Sequence, residues 1–416
     1  MGQQEVAGRV WSPWRTVVWF GLVSLAADMV YEGARAITGP FLASLGASAL
    51  VVGLVTGAGE GAALVLRLVS GPLADRTGRY WSLTIVGYGL TAVCVPLMAI
   101  APFVGGAGLA VGATLVVLER TGKAIRSPSK SALLAHAAGA VGRGRGFGVH
   151  KALDQVGAFS GPLLVAGVVA LTGRLWTALA VLAVPAALSM VLLLVVRARV
   201  PDLAGADQAP QAVPAGRDLS GVARGEVRLP GSFYLFAGAC AASTVGLMTF
   251  GVISYHLVEA GVFTLAWVPV VYAAAMASGA VAALATGGVY DRFGGRVLLL
   301  LPVLVAAVPL LAFDTRPAVV LAGVLVWGAA TGLQDSTVKA LVADLVPSAR
   351  LATAYGVFAA FQGAAALAGG ALAGALYDGG VADLVLVIAG CQVLALALLV
   401  VVLRRPRAGD GPGRRH

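Results

Sequence analysis

The chain has 416 residues, of which 59% are hydrophobic and only 12% are charged. Because soluble domains carry about a quarter charged residues, this composition excludes an ordinary soluble domain and predicts an integral membrane protein. The net charge of +10 does not indicate a nucleic-acid-binding protein, since the basic residues follow the loops expected of a membrane protein. The three cysteines lie within apolar runs at spacings that match neither a metal site nor a disulfide framework.

Twelve apolar segments follow one another along the chain, and each has about the 20 residues that a helix needs to cross a bilayer. They cover residues 16–45, 48–71, 82–103, 106–137, 147–172, 175–197, 232–259, 265–288, 296–314, 317–346, 353–376 and 381–403. Residues 198–230 are rich in Pro, Gly and mixed charge, which is typical of a linker. We predict an all-α membrane protein with an N-terminal six-helix bundle at residues 1–197, a linker at 198–230 and a C-terminal six-helix bundle with a short basic tail at 231–416.

The basic residues predict the orientation of the chain in the membrane. Arginines cluster before the first span, after each even-numbered span and in the C-terminal tail, whereas the alternate loops hold almost none apart from Arg174 and Arg316. Positively charged loops stay in the cytoplasm. We therefore expect a multi-pass protein of the cell (inner) membrane with both termini and the linker in the cytoplasm.

The two halves of the chain repeat each other. The sequence GPLADRTGRYW after the second span (residues 71–81) is echoed by GGVYDRFGGRV after the eighth (residues 287–297). Phe147-Gly148-Val149 and Tyr355-Gly356-Val357 form a second pair of matching segments, at the starts of spans five and eleven. A parallel duplication of six spans is one of the repeat architectures of transporters.

Charged residues are distributed unevenly among the spans. The interiors of spans three, six, nine and twelve contain none, whereas spans one, two, four, five and ten do. A charge inside a membrane must face a cavity or a partner, so the charged spans are expected to surround a central cavity. The candidates for its lining are Tyr31, Arg35, Arg67, Glu119, Arg120, Lys123, Arg126, His150, Gln334, Asp335, Lys339 and Gln362.

The loop after the second span resembles the signature loop of the major facilitator superfamily, and Arg120-Thr-Gly122 resembles another of its motifs with compressed spacing. The matching loop residues are Gly71, Asp75, Arg76, Gly78 and Arg79. Tyr80 stands where the family usually has a second basic residue. Asp291 and Arg292 belong to the second copy of the loop, after the eighth span. The resemblance implies a cytoplasmic latch between spans two and eleven. In that latch Gly71 permits close helix approach and Asp75 faces a helix N-terminus, which favours a carboxylate.

Span five resembles the start of the glycine pattern of the family's antiporter branch. Gly148, Gly157 and Gly161-Pro162 match it, whereas the Gly-Gly expected afterwards is absent. This resemblance implies a drug:proton antiporter that exports a small organic solute. The alternative is a proton-coupled symporter that imports an anionic metabolite, because the basic residues of spans one, two and four offer anion contacts.

Other classes of protein are disfavoured. No phosphate-binding loop of an ATPase occurs in the sequence, so transport driven by ATP is not expected. An intramembrane enzyme is conceivable because Asp and Glu pairs perform acid–base chemistry, but the duplicated halves argue against it. The expected partners are a small-molecule substrate, protons and the lipid bilayer, without nucleic acid, metal or cofactor, and the expected state is a monomer.

The candidate proton carriers are the carboxylates inside the spans. Asp28, Glu32 and Arg35 stand at i, i+4 and i+7 and so share one helical face. Glu32 is nearer Arg35 and is assigned as its ion-pair partner, which leaves Asp28 as the candidate carrier, with Asp154 as the competing choice and Glu60 as a further candidate.

These charges could also have purely structural roles. The charges of span one could form a charge-neutralised packing cluster. The basic stripe of span four could be a cytoplasmic flank paired with Glu119, and His150 could be the partner of Asp154.

Overall fold

The computed structural model describes residues 11–139, 141–200, 229–346 and 351–404. Within these residues the chain forms twelve helical spans and no strands. They are α1 (Pro13–Ser44), α2 (Ala49–Thr77), α3 (Tyr80–Phe103), α4 (Gly108–Gly139), α5 (Arg143–Thr172), α6 (Leu175–Arg199), α7 (Gly231–Glu259), α8 (Trp267–Phe293), α9 (Gly294–Ala312), α10 (Pro317–Leu345), α11 (Leu351–Gly379) and α12 (Val381–Arg404).

The helices confirm the predicted fold class. Eleven of them are long and apolar enough to cross a membrane. The remaining one, α4, has 32 residues and differs from the others because it carries five charged side chains between Glu119 and Lys130. Residues 201–228 of the predicted linker and the basic tail beyond residue 404 lie outside the described part of the chain.

The helices without interior charges lie at the periphery. Helices α3, α6, α9 and α12 pack mainly against helices of their own half. Their outward faces expose apolar side chains such as Val86, Val184, Val303 and Leu386. Apolar side chains on this surface suit contact with lipid, in agreement with the placement expected from the sequence.

Close approach between helices depends on glycine. A Cβ atom at Gly157 of α5 would overlap the backbone carbonyl oxygen of Leu25 on α1, and one at Gly370 of α11 would overlap the carbonyl oxygen of Gly53 on α2. Small residues let helix backbones approach in this way inside membranes. The first contact fixes α1 against α5 within the N-terminal half, and the second joins α2 to α11 across the two halves.

The two halves pack together at one end of the bundle and are also joined along α2 and α11, where Gly61 lies against Gly363. We call the end that carries Pro13 and Arg404 the terminal end, and the opposite end the distal end. Toward the distal end, an apolar cluster around Phe41 also includes Tyr255 and Leu265 of the other half. Toward the terminal end, each half has an apolar cluster of its own. In this conformation the bundle is therefore closed at its distal end.

Helix α7 is broken near the middle of the bundle. Its two helical segments end at Gly246 and begin again at Phe250. The indole Nε1 of Trp327 donates a hydrogen bond of 3.0 Å to the Met248 carbonyl oxygen, which the break leaves without a helical donor. Broken helices with satisfied backbone groups occur where membrane proteins line a cavity.

Candidate functional site

A small cavity lies where α1, α2, α4 and α7 meet. Three of its lining residues are charged, namely Arg35 and Arg120, which were candidates for the cavity lining, and Glu60, which was a candidate proton carrier. The rest of the lining consists of Thr38, Thr56, Val116, Thr249, Phe250 and Gly251. The cavity therefore combines a charged wall in the N-terminal half with an uncharged wall that includes the break in α7.

Glu60 bridges two guanidinium groups at this cavity. Its Oε1 atom lies 2.8 Å from Nη2 of Arg35 and 3.5 Å from Nη1 of Arg120. Arg120 is only 6% exposed, and its Nε atom lies 3.4 Å from Oε2 of Glu119. The sequence predicted charged residues in a common cavity but paired Arg35 with Glu32, whose Oε2 atom is 3.8 Å away. The predicted ion pair of Arg35 with Glu32 is therefore present, and Arg35 makes a second, shorter one with Glu60 on another helix.

The aromatic ring of Tyr31 supports the basic side chains beside the cavity. The guanidinium carbon of Arg120 lies 4.2 Å from the ring centroid and Nζ of Lys123 lies 3.5 Å from it. A cation over an aromatic face is attracted to the ring quadrupole. Tyr31 is buried, and it therefore holds both cations in place without neutralising them.

Glu32 connects the two halves of the protein. The hydroxyl group of Tyr272 on α8 donates a hydrogen bond of 2.5 Å to Oε2 of Glu32 on α1. Tyr272 is fully buried and packs against Phe250, with ring centroids 4.5 Å apart. A second polar contact between the halves joins the hydroxyl groups of Thr56 and Thr249, which are 2.7 Å apart.

Asp28 and Asp154 form a second polar cluster, between α1 and α5. The two carboxyl groups are close neighbours. Oδ1 of Asp154 accepts a hydrogen bond of 2.7 Å from the Ser24 hydroxyl, and its Oδ2 atom lies 2.7 Å from Nζ of Lys151. Nζ of Lys130 donates to the Ser24 hydroxyl at 3.1 Å. The two competing candidates for the proton carrier therefore belong to one site.

Two predicted cavity residues of α4 face α3 instead. The Thr91 hydroxyl on α3 donates to Oε1 of Glu119 at 3.2 Å and accepts a hydrogen bond from Nη1 of Arg126. Arg126 also lies over the ring of Tyr88. Glu119 and Arg126 are thus corrected from cavity residues to a buried contact between α3 and α4, because the helical stripe is wide enough to face two neighbours.

The expected pairing of His150 with Asp154 is not observed. His150 is buried, and its Nε2 atom has no hydrogen-bond partner among the described residues. Asp154 is instead bonded to Ser24 and Lys151. Arg67 on α2 likewise has a buried Nε atom without a partner in the described part of the chain.

The C-terminal half contributes amides rather than charges. The Thr244 hydroxyl donates to Oε1 of Gln362 and accepts a hydrogen bond of 3.0 Å from Nε2 of Gln334. Asp335 is exposed, and the side chains of Lys339 and Asp291 lie outside the described residues. The predicted asymmetry of charge between the halves thus continues into the structure.

The signature loop has a local structure that explains its glycine. Helix α2 is capped by Gly78, whose φ of +61° is strongly favoured by glycine. The exposed carboxylate of Asp75 accepts a hydrogen bond of 3.0 Å from the Tyr80 hydroxyl, while Arg76, Arg79 and Arg292 are exposed. A Cβ atom at Gly71 would face Pro128 of α4, and the latch between α2 and α11 stays a prediction.

Gly157 and Gly161-Pro162 lie at the contact between α5 and α1. Cβ atoms at Gly157 and Gly161 would overlap the backbone of Leu25 and Met29, the residue after Asp28, whereas Gly148 faces open space. The sequence does not single out Ser24, Tyr272 or the threonines of the cavity, since single hydroxyl groups are common in apolar spans. Among the described residues, no group of three or more His, Cys, Asp or Glu side chains could hold a metal ion.

Comparison with known sequences identifies the family. The profile of the Major Facilitator Superfamily matches residues 20–301 and 259–416. An uncharacterized protein of Mycobacterium tuberculosis is 52% identical over 397 residues, which cover 95% of this chain and 94% of the relative. An uncharacterized MFS-type transporter of Methanocaldococcus jannaschii is 27% identical over 150 residues, or 36% of each chain.

Solved structures have the same fold. A crystal structure of a mutant of the nucleoside transporter NupG matches with a TM-score of 0.73 at 16% identity, covering 94% of this chain and 100% of NupG. The peptide transporter POT in complex with sulfate matches with a TM-score of 0.72 at 16% identity, covering 97% of each chain. Likeness at this level of identity concerns the fold alone. With the family profile, it establishes that the chain belongs to the Major Facilitator Superfamily and is a transporter of the secondary type.

Proposed function

We propose that this transporter is a proton-coupled antiporter that exports a small organic solute. The observation that carries the proposal is the pair of carboxyl groups of Asp28 and Asp154 between α1 and α5. Two neighbouring carboxyl groups inside a membrane span repel each other when both are ionised, and one proton on the pair relieves that repulsion. The pair therefore binds one proton as a unit, and the two residues titrate together.

The position of the pair links its proton to the conformation of the bundle. Asp28 lies one helical turn before Glu32 on α1, and Glu32 accepts the Tyr272 hydrogen bond that joins the halves. Loss of the shared proton leaves two carboxylates in repulsive contact, with Lys130 and Lys151 beside them. A shift of α1 relieves that repulsion and alters its contact with α8, which is the coupling that alternating access needs.

One feature supports export. Gly157 and Gly161 belong to the glycine pattern that resembles the antiporter branch, and both lie against α1. Their close contact with α1 brings Asp28 and Asp154 together. The arginine distribution supports cytoplasmic termini. With that orientation, the distal end of the bundle lies toward the outside of the cell.

The second candidate function is import of an anionic metabolite by proton symport. The basic side chains at the cavity favour it. Transport in membrane vesicles of both orientations separates the two directions. An antiporter accumulates solute in everted vesicles with an acidic interior, whereas a symporter accumulates it in right-side-out vesicles with an acidic exterior.

The proposal is tested with the full chain in proteoliposomes and a solute found by screening vesicle uptake. We expect Asp28→Asn to abolish accumulation driven by a proton gradient while preserving solute exchange without a gradient, because exchange requires no net protonation. Asp154→Asn should have the same effect, and the double variant should be no worse, since the two residues act as one site. Asp383→Asn, at an exposed carboxylate of α12, is the matched control. Full gradient-driven accumulation by Asp28→Asn would refute the proposal.

A further inference from the structure

We infer that the transported solute carries an anionic group that binds Arg35 and Arg120, and that Glu60 occupies the place of this group in the empty protein. The inference rests on the proposed role of the central cavity as the transport site. It adds the chemical class of the solute, a carboxylate or a phosphate monoester, and it assigns to Glu60 the role of an internal competitor.

An unsatisfied donor marks the binding position. Nη1 of Arg120 is buried and has no hydrogen-bond partner among the described residues. It lies 3.5 Å from Oε1 of Glu60, close enough for an ion pair but without the geometry of a hydrogen bond. Arg120 lines the cavity. A buried guanidinium donor left unbonded is unfavourable, and an anion that binds it satisfies the donor.

The charge balance around the cavity favours an anion. Four cations lie near Glu60, namely Arg35, Arg67, Arg120 and Lys123. Three carboxylates accompany them, namely Glu32, Glu60 and Glu119. Two of these carboxylates have other donors, because Tyr272 donates to Glu32 and Thr91 donates to Glu119. Glu60 is the one carboxylate among the described residues that lines the cavity. Positive charge is therefore in excess where the solute binds.

The carboxylate of Glu60 shows where an anionic group can bind at this site. A single carboxylate oxygen lies between the guanidinium groups of Arg35 and Arg120. A carboxylate or phosphate of the solute takes that position with charge-assisted hydrogen bonds when Glu60 turns away. The hydroxyl groups of Thr38, Thr56 and Thr249 also line the cavity. Since Thr249 belongs to the C-terminal half, a bound solute contacts both halves.

An anionic solute is compatible with export by antiport. Moving one elementary charge through a membrane potential of 100 mV changes the free energy by about 2.3 kcal/mol. When the cytoplasm is negative, the potential drives an anion outward and a proton inward. Exchange of one proton for one monoanion therefore uses the potential twice. A lipophilic cation instead would have to enter a cavity with excess positive charge.

The inference is tested by ligand binding to the purified full chain in detergent. The probes are aryl and alkyl carboxylates and phosphate monoesters, each compared with the neutral amide or alcohol and with the amine on the same scaffold. Binding to the native state raises the Tm. We expect anions to raise the Tm and their amine counterparts to have no effect. Arg120→Gln should weaken anion binding by about tenfold or more, whereas Arg174→Gln, at an exposed loop arginine, should leave it unchanged.

Glu60→Gln distinguishes a competitor from a merely structural residue. We expect this variant to have a lower Tm without ligand, because Arg35 and Arg120 lose their counter-charge. We also expect it to bind the anionic probe about tenfold more tightly than the unaltered protein, because the internal carboxylate no longer competes. Stabilisation by amines, no stabilisation by any anion in the panel, or weaker anion binding by Glu60→Gln would each overturn the inference.

Failure of the proposed function is distinguishable from failure of this inference. Asp28→Asn should retain anion binding, because Asp28 does not line the cavity. If Asp28→Asn keeps full gradient-driven accumulation while the anion probes bind as expected, proton coupling through Asp28 is refuted and the anion site stands. If Asp28→Asn loses coupling while no anion binds, the anion site is refuted and proton coupling stands.

Discussion

Replacing Tyr272 by Phe tests how the two halves are held together. The change removes only the hydroxyl group that donates to Oε2 of Glu32. The aromatic ring remains, so its packing against Phe250 and Trp327, at centroid distances of 4.5 and 6.4 Å, is preserved. Because the lost bond joins α1 to α8, the variant is expected to destabilise the conformation that is closed at the distal end.

The size of the effect follows from the chemistry of the bond. A hydrogen bond to a charged group contributes about 1.5–3 kcal/mol. Each 1.4 kcal/mol corresponds to a factor of ten in an equilibrium constant. If the bond exists only in the distal-closed conformation, Tyr272→Phe shifts the equilibrium toward the distal-open conformation by roughly 10- to 100-fold. Such a shift changes which conformation predominates when the two differ by a few kcal/mol.

The assay measures distances between spin labels placed across the halves, one pair at the distal end and one at the terminal end. We expect the distal distance to lengthen and the terminal distance to shorten in Tyr272→Phe. Tyr377→Phe is the matched control, because its hydroxyl pairs with Nδ1 of His256 within the C-terminal half at 3.0 Å. Unchanged distances in Tyr272→Phe, or equal shifts in both variants, would refute the reasoning.

Further expectations concern packing, pH and topology. Gly157→Ala should lower the stability by about 1–3 kcal/mol and reduce proton coupling, because the added Cβ overlaps α1. Gly167→Ala is the control, because Gly167 faces open space on the same helix. This variant should be neutral or slightly stabilising in a thermal melt. In the loop before α10, side-chain and backbone hydrogen bonds from Arg316 hold the pKa of the Asp314 carboxyl below its usual range. A carboxyl group whose pKa is lower in the folded than in the unfolded state stabilises the protein above the unfolded-state pKa of about 3.9, and this stability is lost as the pH falls. The Tm difference between the unaltered protein and Asp314→Asn should therefore narrow in acid. A difference that widened in acid would refute this explanation. A single cysteine in the linker (residues 198–230) should react with impermeant thiol reagents in everted vesicles only, and labelling from outside intact cells would reverse the predicted orientation.

The fold was largely predictable from the sequence because each membrane helix is recognised from its own residues. A run of apolar residues predicts a span without knowledge of its neighbours. The absence of interior charges from spans three, six, nine and twelve likewise predicted which helices are peripheral. The charged span α4 was recognised as a helix by its position between apolar spans rather than by its own hydropathy.

Partners across helices were harder to predict. Asp28, Glu32 and Arg35 share one face of α1, as their spacing indicates, but Asp28 contacts Asp154 while Glu32 contacts Tyr272. Residues one turn apart differ by about 40° around a helix, which is enough to face different neighbours. Which neighbour each residue contacts depends on how closely the helices pack, and that is set by side chains distant in sequence, such as Gly157.

Infrared spectroscopy of the purified protein shows whether Asp28 and Asp154 hold the coupled proton. At neutral pH the unaltered protein should show the absorption of a protonated carboxylic acid that shifts on exchange into heavy water. This absorption should disappear in Asp28→Asn and remain in the control Asp383→Asn. A spectrum in which Asp28→Asn leaves the carboxylic acid absorption unchanged would contradict the account.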